Sequence, residues 1–288
     1  MSDSARSVPD WVNALASRAR DADGVPPFSD QAFVDYRLGK RDLVAIEETA
    51  AALATETEAE FVVDPDARGG GLGTRMLDQL LERGVTLLWA HGDHPAARAL
   101  AASHHLKAVR ELLHLAGEVS ICEASPRYST NGPADGRAAD DGSIIETFRP
   151  GADEDEWVAV NARIFAHHPE QGSVSRVDLE QLESEDWFRA DSFLTLRRDG
   201  RMIGYCWLKV EQGRGEFYVV GISPDFQGEH LGAMLFDAGL ARLATLGIRQ
   251  AHLYVEADNE PALALYRARG FVQDGVDIQY ALAFQEGV

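Results

Sequence analysis

Two glycine-bearing loops are the first segments of the chain whose residue types and spacing could do chemistry. They read Arg68-Gly69-Gly70-Gly71-Leu72-Gly73 and Gln227-Gly228-Glu229-His230-Leu231-Gly232. Each loop follows an apolar stretch typical of a strand and precedes an amphipathic stretch typical of a helix. Free backbone N–H groups at a helix start, together with the helix dipole, attract anions such as a pyrophosphate. An ordinary turn before a helix has the same composition, so the loops alone leave both interpretations open.

Neither loop fits the common nucleotide-binding fingerprints. No Gly-Lys-Ser/Thr follows either loop, which excludes a Walker loop. The pattern G-x-G-x-x-G is absent from the second loop, and the first lacks the later acidic ribose contact of a dinucleotide-binding βαβ unit.

The elements around the loops occur twice in the same order. Pro65 and Pro224 are 159 residues apart (224 − 65), and Gly73 and Gly232 keep that separation. The next pair of prolines, at 95 and 261, is separated by 166 residues, which a slightly longer helix-to-strand stretch in the second copy explains. Repeats of this length are whole domains, so the sequence predicts an internal duplication.

The segment between the two copies predicts the domain organisation. Residues 123–143 are rich in Pro, Gly, Ser, Ala and Asp and have no apolar periodicity, which is typical of a linker. We therefore expect an N-terminal module at 1–122 and a C-terminal module at 144–288.

Composition limits the class of protein and its partners. With 288 residues, 45% of them hydrophobic, the chain can bury a core in each of two domains. A formal charge of −20 argues against a nucleic-acid partner, because such a surface repels phosphate groups. No run approaches the roughly 18 apolar residues of a membrane span, and the N-terminus has no apolar signal-peptide core. We expect a cytoplasmic protein without a membrane partner.

Metal and thiol chemistry are not predicted. Cys122 and Cys206 are far apart in the sequence, so both are read as reduced, packed thiols. The run His167-His168-Pro169-Glu170 offers two imidazoles and a carboxylate, but adjacent histidines point apart and no further ligand is spaced nearby. We therefore expect no bound metal.

The two loops and a later motif resemble the GCN5-related N-acetyltransferases. Both loops match that family's Arg/Gln-x-x-Gly-x-Gly/Ala motif. The run from Asn259 to Tyr266, followed by Gly270-Phe271, is similar to the second family signature, Asn-x-x-Ala-x-x-x-Tyr-x-x-x-Gly-Phe. The resemblance implies an α/β fold with a mixed sheet, here as two tandem acyltransferase modules, and acetyl-CoA as co-substrate.

Over nearly its whole length the chain is similar to a two-module subfamily of these enzymes. Its members acetylate the cysteinyl amine of Cys-GlcN-Ins to make mycothiol. The resembling stretches lie at 26–31, 89–95, 168–172, 207–210, 216–221 and 253–259. The resemblance implies that this small-molecule amine is the partner, and that it is contacted by Asp30, Glu170, Lys209, Glu216 and Tyr254.

The resemblance also implies where acetyl-CoA is held in the C-terminal module: on a strand backbone, on the glycine loop and at a helix start. These positions are Val220, Gly221, Ile222, Gln227, Gly228, Glu229, His230, Leu231, Gly232, Ala233, Asn259, Glu260, Pro261, Ala262, Leu263 and Ala264. If the N-terminal module also holds acetyl-CoA, its equivalent positions are Phe61, Val62, Val63, Arg68, Gly69, Gly70, Gly71, Leu72 and Gly73.

Two side chains would carry the acyl transfer. The amine must lose a proton before it attacks the thioester, and the departing thiolate must gain one. We assign Glu216 as general base and Tyr266 as general acid, while backbone N–H groups at Val220 to Ile222 would polarise the thioester oxygen. By position alone, Glu216 reads more simply as a solvated strand carboxylate and Tyr266 as core packing. The resemblance reverses that preference.

The chain departs from the family pattern at three places. His230 stands where the family usually has glycine, so a side chain crowds the pyrophosphate loop. Asp30 replaces a glutamate and is shorter by one methylene. The N-terminal copy has His104-His105 where Gly-Phe would stand.

The N-terminal copy also lacks the residues assigned to proton transfer. Alignment through the prolines puts Leu100 at the place of Tyr266 and Thr57 at the place of Glu216, unless Glu58 has shifted into it. We therefore expect that the N-terminal module binds acetyl-CoA or nothing and catalyses no transfer.

Two other functions stay open at this point. One is acetylation of a different small amine or of a peptide N-terminus. The other is non-catalytic acyl-CoA binding, which His230 and the degraded N-terminal copy would suit. Because a duplicated chain supplies internally the interface that a dimer would supply, we expect a monomer.

Overall fold

The computed structural model describes residues 6–119, 137–138, 142–166 and 171–282. Most of the predicted linker, Cys122 and the run His167–Glu170 lie outside the described residues, and with them the predicted substrate contact of Glu170. The chain divides into unit 1, residues 1–114, 256–258 and 274–288, and unit 2, residues 115–255 and 259–273. The module boundaries at 122 and 144 stay predictions. Among the described residues, no helix is both long and apolar enough to cross a membrane.

Unit 1 contains a mixed sheet with helices on both faces. Its described sheet order is β1-β2-β3-β4-β12-β5, with β3 and β4 parallel and β12 antiparallel to β4. The last described strand, β12, therefore belongs to unit 1 from residue 274 onward. The elements are α1 (Asp10–Asp23), α2 (Asp30–Arg37), β1 (Asp42–Ile46), β2 (Ala50–Ala54), β3 (Glu58–Val63), α3 (Leu72–Glu82), β4 (Leu87–Ala90), α4 (Pro95–Ser103), β5 (Leu106–Glu118, of which 115–118 group with unit 2) and β12 (Val272–Leu282).

Unit 2 repeats the plan with longer strands. Its described sheet order is β6-β7-β8-β9-β10-β11, in which β10 and β11 are parallel. The elements are β6 (Arg137–Ala138), β7 (Ile144–Thr147), α5 (Glu154–Ile164), α6 (Arg176–Glu183), β8 (Phe193–Arg198), β9 (Arg201–Glu211), β10 (Arg214–Ile222), α7 (Leu231–Thr245), β11 (Gln250–Glu256) and α8 (Glu260–Arg267).

The alanine-rich strand β2 explains how unit 1 is layered. All five of its residues are buried, and successive side chains of a strand point to opposite faces. Ala50 and Ala52 join a core with Met76 and Leu80 of α3. Ala51 and Leu53 join a second core, with α1 and α2. Small side chains let α3 on one face and α1 and α2 on the other approach the sheet closely, so β2 is the centre of a three-layer packing.

Unit 2 is built on aromatic rings. Phe193 stacks between Phe148 and Trp207, with 4.3 Å between ring centroids in each case. On the other face, Phe217 stacks on Phe236 of α7 at 4.1 Å. A Cβ at Gly239 would lie 2.5 Å from the Phe217 ring, so glycine is what lets α7 pack this closely on β10. The position of α7 in turn fixes the loop that precedes it.

The predicted duplication is visible in the connection between strand and helix. In unit 1, a short 3₁₀ turn at Pro65–Ala67 follows β3, and the glycine loop then starts α3. In unit 2, the same turn at Pro224–Phe226 follows β10, and the second loop starts α7. The tandem mixed α/β fold predicted from the sequence is confirmed.

Candidate active site

Strands β10 and β11 of unit 2 are paired over only three residues. Gly215, Glu216 and Phe217 are in register with β11, and no later residue of β10 is paired with it in the described chain. Between Phe217 and Val219 a β-bulge also shifts the register of β10 against β9. Bulges bend a strand and re-aim it. The backbone after the bulge therefore diverges from β11 and is available to a ligand.

The three strand positions assigned to acetyl-CoA lie on this diverging backbone. Val220, Gly221 and Ile222 stay in register with β9 and are half-buried. A Cβ at Gly221 would lie 2.6 Å from Ile164 at the end of α5, so the helix packs directly on this strand. A strand held in this way presents its backbone groups in a fixed direction, as electrostatic stabilisation of a thioester oxygen requires.

The second glycine loop forms an exposed turn whose end is the start of α7. Gly228 has a φ of 84°, which lies in the left-handed region that glycine adopts without strain. Gln227 donates from Nε2 to the carbonyl oxygen of Ile222 at 3.5 Å, and Glu229 accepts from Arg198 at 2.9 Å. The first N–H groups of a fifteen-residue helix follow directly. The loop thus has the properties of an anion cradle.

His230 occupies a backbone conformation suited to glycine. It precedes α7 with a φ of 60°, whereas the corresponding Gly71 of unit 1 has a φ of 82°. For a residue with a Cβ, this left-handed conformation costs roughly 1–2 kcal/mol. The His230 residue is exposed.

His230→Gly is expected to stabilise the fold by about 1 kcal/mol, because it relieves the left-handed strain. Acetyl-CoA affinity should be equal or improved, since the loop loses a crowding side chain. Denaturant unfolding and titration calorimetry measure the two quantities. The matched control is the reverse change in unit 1, Gly71→His, which should lower stability. A clear loss of affinity in His230→Gly would show instead that the imidazole contacts the phosphates.

The assigned base lies at the middle of the three paired positions, one residue before the pairing ends. Glu216 is opposite Lys209 of β9 on one side and His252 of β11 on the other. Its Oε2 lies 3.4 Å from His252 Nε2, and the side chain is only 14% exposed. Lys209 is buried, with Nζ 5.1 Å from the Trp187 ring centroid and 2.9 Å from the Glu211 carboxylate. Two predicted substrate contacts, Lys209 and Glu216, thus lie side by side.

The assigned acid lies on α8, whose start carries the other predicted acetyl-CoA positions. Asn259 Oδ1 accepts from the backbone N–H of Ala262 at 3.2 Å and caps the helix, as expected for Asn before a helix. Tyr266, in the last turn, is 8% exposed and packs on Phe236 with 4.9 Å between centroids. Burial raises the pKa of the Tyr266 phenol, so it stays protonated. Burial likewise raises the pKa of the Cys206 thiol, which argues against a thiolate nucleophile.

Two other residues predicted to contact the substrate are Tyr254 and Asp30. Tyr254 of β11 is 39% exposed, and its ring lies edge-on to that of His252 at 6.1 Å. Asp30 begins α2 in unit 1 and is exposed. Unit 2 therefore brings Glu216, Lys209 and Tyr254 onto adjacent strands.

Unit 1 contains a cavity of about 490 Å³ at the matching place. There too the parallel pairing is short, because β3 and β4 are in register only from Glu58 to Glu60. All of the alternative acetyl-CoA positions except Gly70 line it. Arg68 closes one side, with both terminal nitrogens 2.7 Å from the Asp23 carboxylate. The wall is formed by apolar side chains, including Leu77, Leu88, Trp89 and Leu100.

The cavity of unit 1 differs from unit 2 at the positions assigned to proton transfer. Leu100 lines the cavity at the place predicted for the tyrosine, and its Cδ1 would lie 3.0 Å from a Cβ at Gly73. β3 pairs with β2 without the bulge that β10 has. Before the bulge, the alignment of the two strands therefore shifts by one residue, and Glu58 takes the position equivalent to Glu216, the alternative that the sequence left open. Glu58 is nevertheless engaged, at 2.6 Å from Arg41 and 2.9 Å from Gln279.

A buried polar cluster next to this cavity was not predicted. His91 contacts Asp277 at 2.8 Å and Glu60 at 3.2 Å, and His114 contacts Asp277 at 3.0 Å. Ser29 donates to Glu60 from its backbone N–H at 2.6 Å and from its hydroxyl at 2.8 Å. The sequence pointed to the Trp89–Pro95 segment, but His91 and Asp277 are 186 residues apart and no spacing joins them.

The charges of this cluster support one another. Burial alone would lower the pKa of His91, but hydrogen bonds to Asp277 and Glu60 raise it to about 10. Burial alone would raise the pKa of Asp277, but hydrogen bonds with His114 and His91 hold it well below its usual range. The cluster therefore holds an imidazolium between two carboxylates inside unit 1.

Comparison with known proteins identifies relatives of both the sequence and the fold. Residues 161–271 match the model of the Acetyltransferase (GNAT) family. The mycothiol acetyltransferase of Clavibacter michiganensis subsp. michiganensis is 44% identical over 96% of this chain and 93% of that protein. That of Sanguibacter keddieii is 39% identical over 94% of this chain and 91% of that protein.

Solved structures agree on the architecture. A GCN5-related N-acetyltransferase from Sphaerobacter thermophilus superposes with a TM-score of 0.65 and 20% identity, over 95% of this chain and 96% of that one. A tandem GNAT protein from the clavulanic acid biosynthesis pathway gives a TM-score of 0.65 and 16% identity, over 94% and 93%. At these identities the likeness supports the fold alone.

Proposed function

The chain belongs to the mycothiol acetyltransferases, within the GNAT acetyltransferases, and from this premise we propose that it transfers the acetyl group of acetyl-CoA to the cysteinyl amine of Cys-GlcN-Ins. The products are mycothiol and CoA. The observation that carries the proposal is the position of Glu216. This mostly buried carboxylate lies next to the point where β10 and β11 diverge, and the glycine loop follows the end of the same strand. A base and a cradle for the cofactor thus share one strand.

Unit 2 can hold acetyl-CoA with the positions named from the sequence. Gly228 and the start of α7 suit the pyrophosphate, because they combine a close-approach backbone with free N–H groups. The diverging backbone from Val220 to Ile222 suits the extended arm that carries the thioester. When bound, acetyl-CoA supplies the activated acyl group, and the protein supplies orientation and proton transfer.

The acyl transfer then follows from the two assigned side chains. Glu216 accepts a proton from the substrate ammonium, and the freed amine attacks the thioester carbon. N–H groups of the β10 backbone stabilise the oxyanion. The C–S bond breaks, and Tyr266, which burial keeps protonated, gives its proton to the thiolate. Lys209 and Tyr254 lie beside Glu216 and are suited to a substrate rich in hydroxyl groups.

An assay of CoA release tests the substrate directly. The parent protein is supplied with acetyl-CoA and Cys-GlcN-Ins, and in parallel with other small amines and with peptides bearing free N-termini. We expect turnover with Cys-GlcN-Ins to exceed that with the other amines. Faster turnover of another amine would replace the proposed substrate. Acetyl-CoA binding without turnover of any amine would favour the non-catalytic alternative.

We also propose that the cavity of unit 1 holds acetyl-CoA and catalyses no transfer. Its volume, its apolar wall and its glycine loop suit the pantetheine arm and the pyrophosphate. The Arg68–Asp23 pair must reorganise if Arg68 is to contact a phosphate. The absence of a tyrosine at Leu100 and the ion pairing of Glu58 leave no proton path of the kind proposed for unit 2.

Gly73→Val distinguishes the roles of the two modules. The Cβ of the new side chain lies 3.0 Å from Leu100, so valine should obstruct the cavity of unit 1 beside the glycine loop, and calorimetry should find one acetyl-CoA site fewer than in the parent. Turnover of Cys-GlcN-Ins should stay within about threefold, while the double variant Glu216→Gln, Tyr266→Phe should lose it. If Gly73→Val abolishes turnover while the double variant stays active, the catalytic module is the N-terminal one.

A further inference from the structure

His252 lies within 4 Å of the Glu216 carboxylate. The two residues are direct register partners on parallel strands, so the backbone fixes their separation. The 3.4 Å between Nε2 and Oε2 is within ion-pair distance. No catalytic motif of the sequence includes His252.

The two side chains differ in their access to water. Glu216 is 14% exposed, whereas His252 is 32% exposed. A mostly buried carboxylate that takes a proton in each turnover must also release it. An imidazole at its edge is suited to this step, because histidine side chains commonly act as proton shuttles.

We propose that His252 relays the proton from Glu216 to solvent, as a positioning and proton-transfer residue for the acetyl transfer. This inference rests on the proposed function of unit 2. In one turnover the substrate nitrogen loses two protons as the C–N bond forms and the C–S bond breaks. One of them balances the proton that the thiolate gains through Tyr266. The other passes from the ammonium to Glu216, then to neutral His252, and then to water.

Other polar and charged side chains lie close to the Glu216–His252 pair. Lys209 of β9 lies opposite Glu216 and is paired with Glu211. Tyr254 lies two residues along β11, with its ring edge-on to the imidazole.

His252→Gln tests the relay, because glutamine keeps a polar side chain of similar reach and cannot carry the proton. We expect kcat with Cys-GlcN-Ins to fall roughly tenfold in weakly buffered solution, while KM stays within about twofold. Added imidazole should restore most of kcat, and the pH–rate profile should lose the contribution of His252. His252→Asn serves as a second variant, and His105→Gln, at an exposed histidine of unit 1, as the matched control.

Each outcome decides the proposal. A kcat that falls and recovers with imidazole supports the relay, because a purely structural role would not respond to a free proton carrier. An unchanged kcat, a change in KM alone, or a loss that imidazole does not restore would overturn it while leaving the proposed function intact. An inactive parent would overturn the proposed function and the relay together.

Discussion

Glu216→Gln is expected to lower kcat for the acetylation of Cys-GlcN-Ins by about 10²–10⁴, the usual effect of removing one general base. The amide has the same shape as the carboxylate but cannot accept the ammonium proton. Acetyl-CoA binding should be unchanged, because the glycine loop and the backbone after the bulge are untouched. Stopped-flow rates over a pH series and calorimetry of acetyl-CoA measure the two effects separately.

The matched control for this change is Glu180→Gln. Glu180 forms an exposed ion pair with Arg176 within α6 of the same unit, and such surface pairs contribute little. It should keep parental turnover and stability. A Glu216→Gln variant with the parental pH–rate profile would disprove the assignment of the base and return Glu216 to the role of a strand carboxylate.

The second large effect is expected on stability. His91→Gln removes the imidazolium between Glu60 and Asp277 and leaves two buried carboxylates without their shared cation. Breaking a buried pair in this way costs about 3–5 kcal/mol in the free energy of unfolding. Chemical denaturation at pH 6 measures it, with His105→Gln as a control for the same change at an exposed site.

The effect of His91 on stability should depend on pH with a defined sign. Its pKa is raised from 6.5 to about 10 in the folded protein. Protonation therefore favours folding, and this contribution is complete below about pH 6.5 and is lost as the pH rises through about 10. The gap in stability between parent and His91→Gln should accordingly close on the alkaline side. A gap that stays constant from pH 6 to 10 would mean that His91 is neutral in the folded protein.

Features that depend on neighbouring residues could be predicted from the sequence. The loops, the helix starts at Leu72 and Leu231, and the repeat relating the two modules all follow from glycine and proline spacing, because turn geometry and capping are local. Asn259 as a helix cap is of the same kind.

Features set by long-range pairing could not be predicted. The bulge at Tyr218 decides that Glu58, and not Thr57, shares the register of Glu216, and no propensity marks an extra residue in one strand. The contact between Glu216 and His252 likewise depends on strand register, since the residues are 36 positions apart (252 − 216). Such pairings become visible only when the strand neighbours are known.

The assignment of β12 to unit 1 has a consequence for the order of events during synthesis. Ala90 of β4 is in register with Ile278, and His91 contacts Asp277, 186 residues further along the chain. At translation rates of about 5–20 residues per second, β4 emerges on the order of ten seconds or more before its partner strand exists. Until then, the nascent unit 1 has an open strand edge and a buried histidine without its aspartate. A gene fragment ending near residue 122 would make that interim state permanent, and such a product should be prone to aggregation.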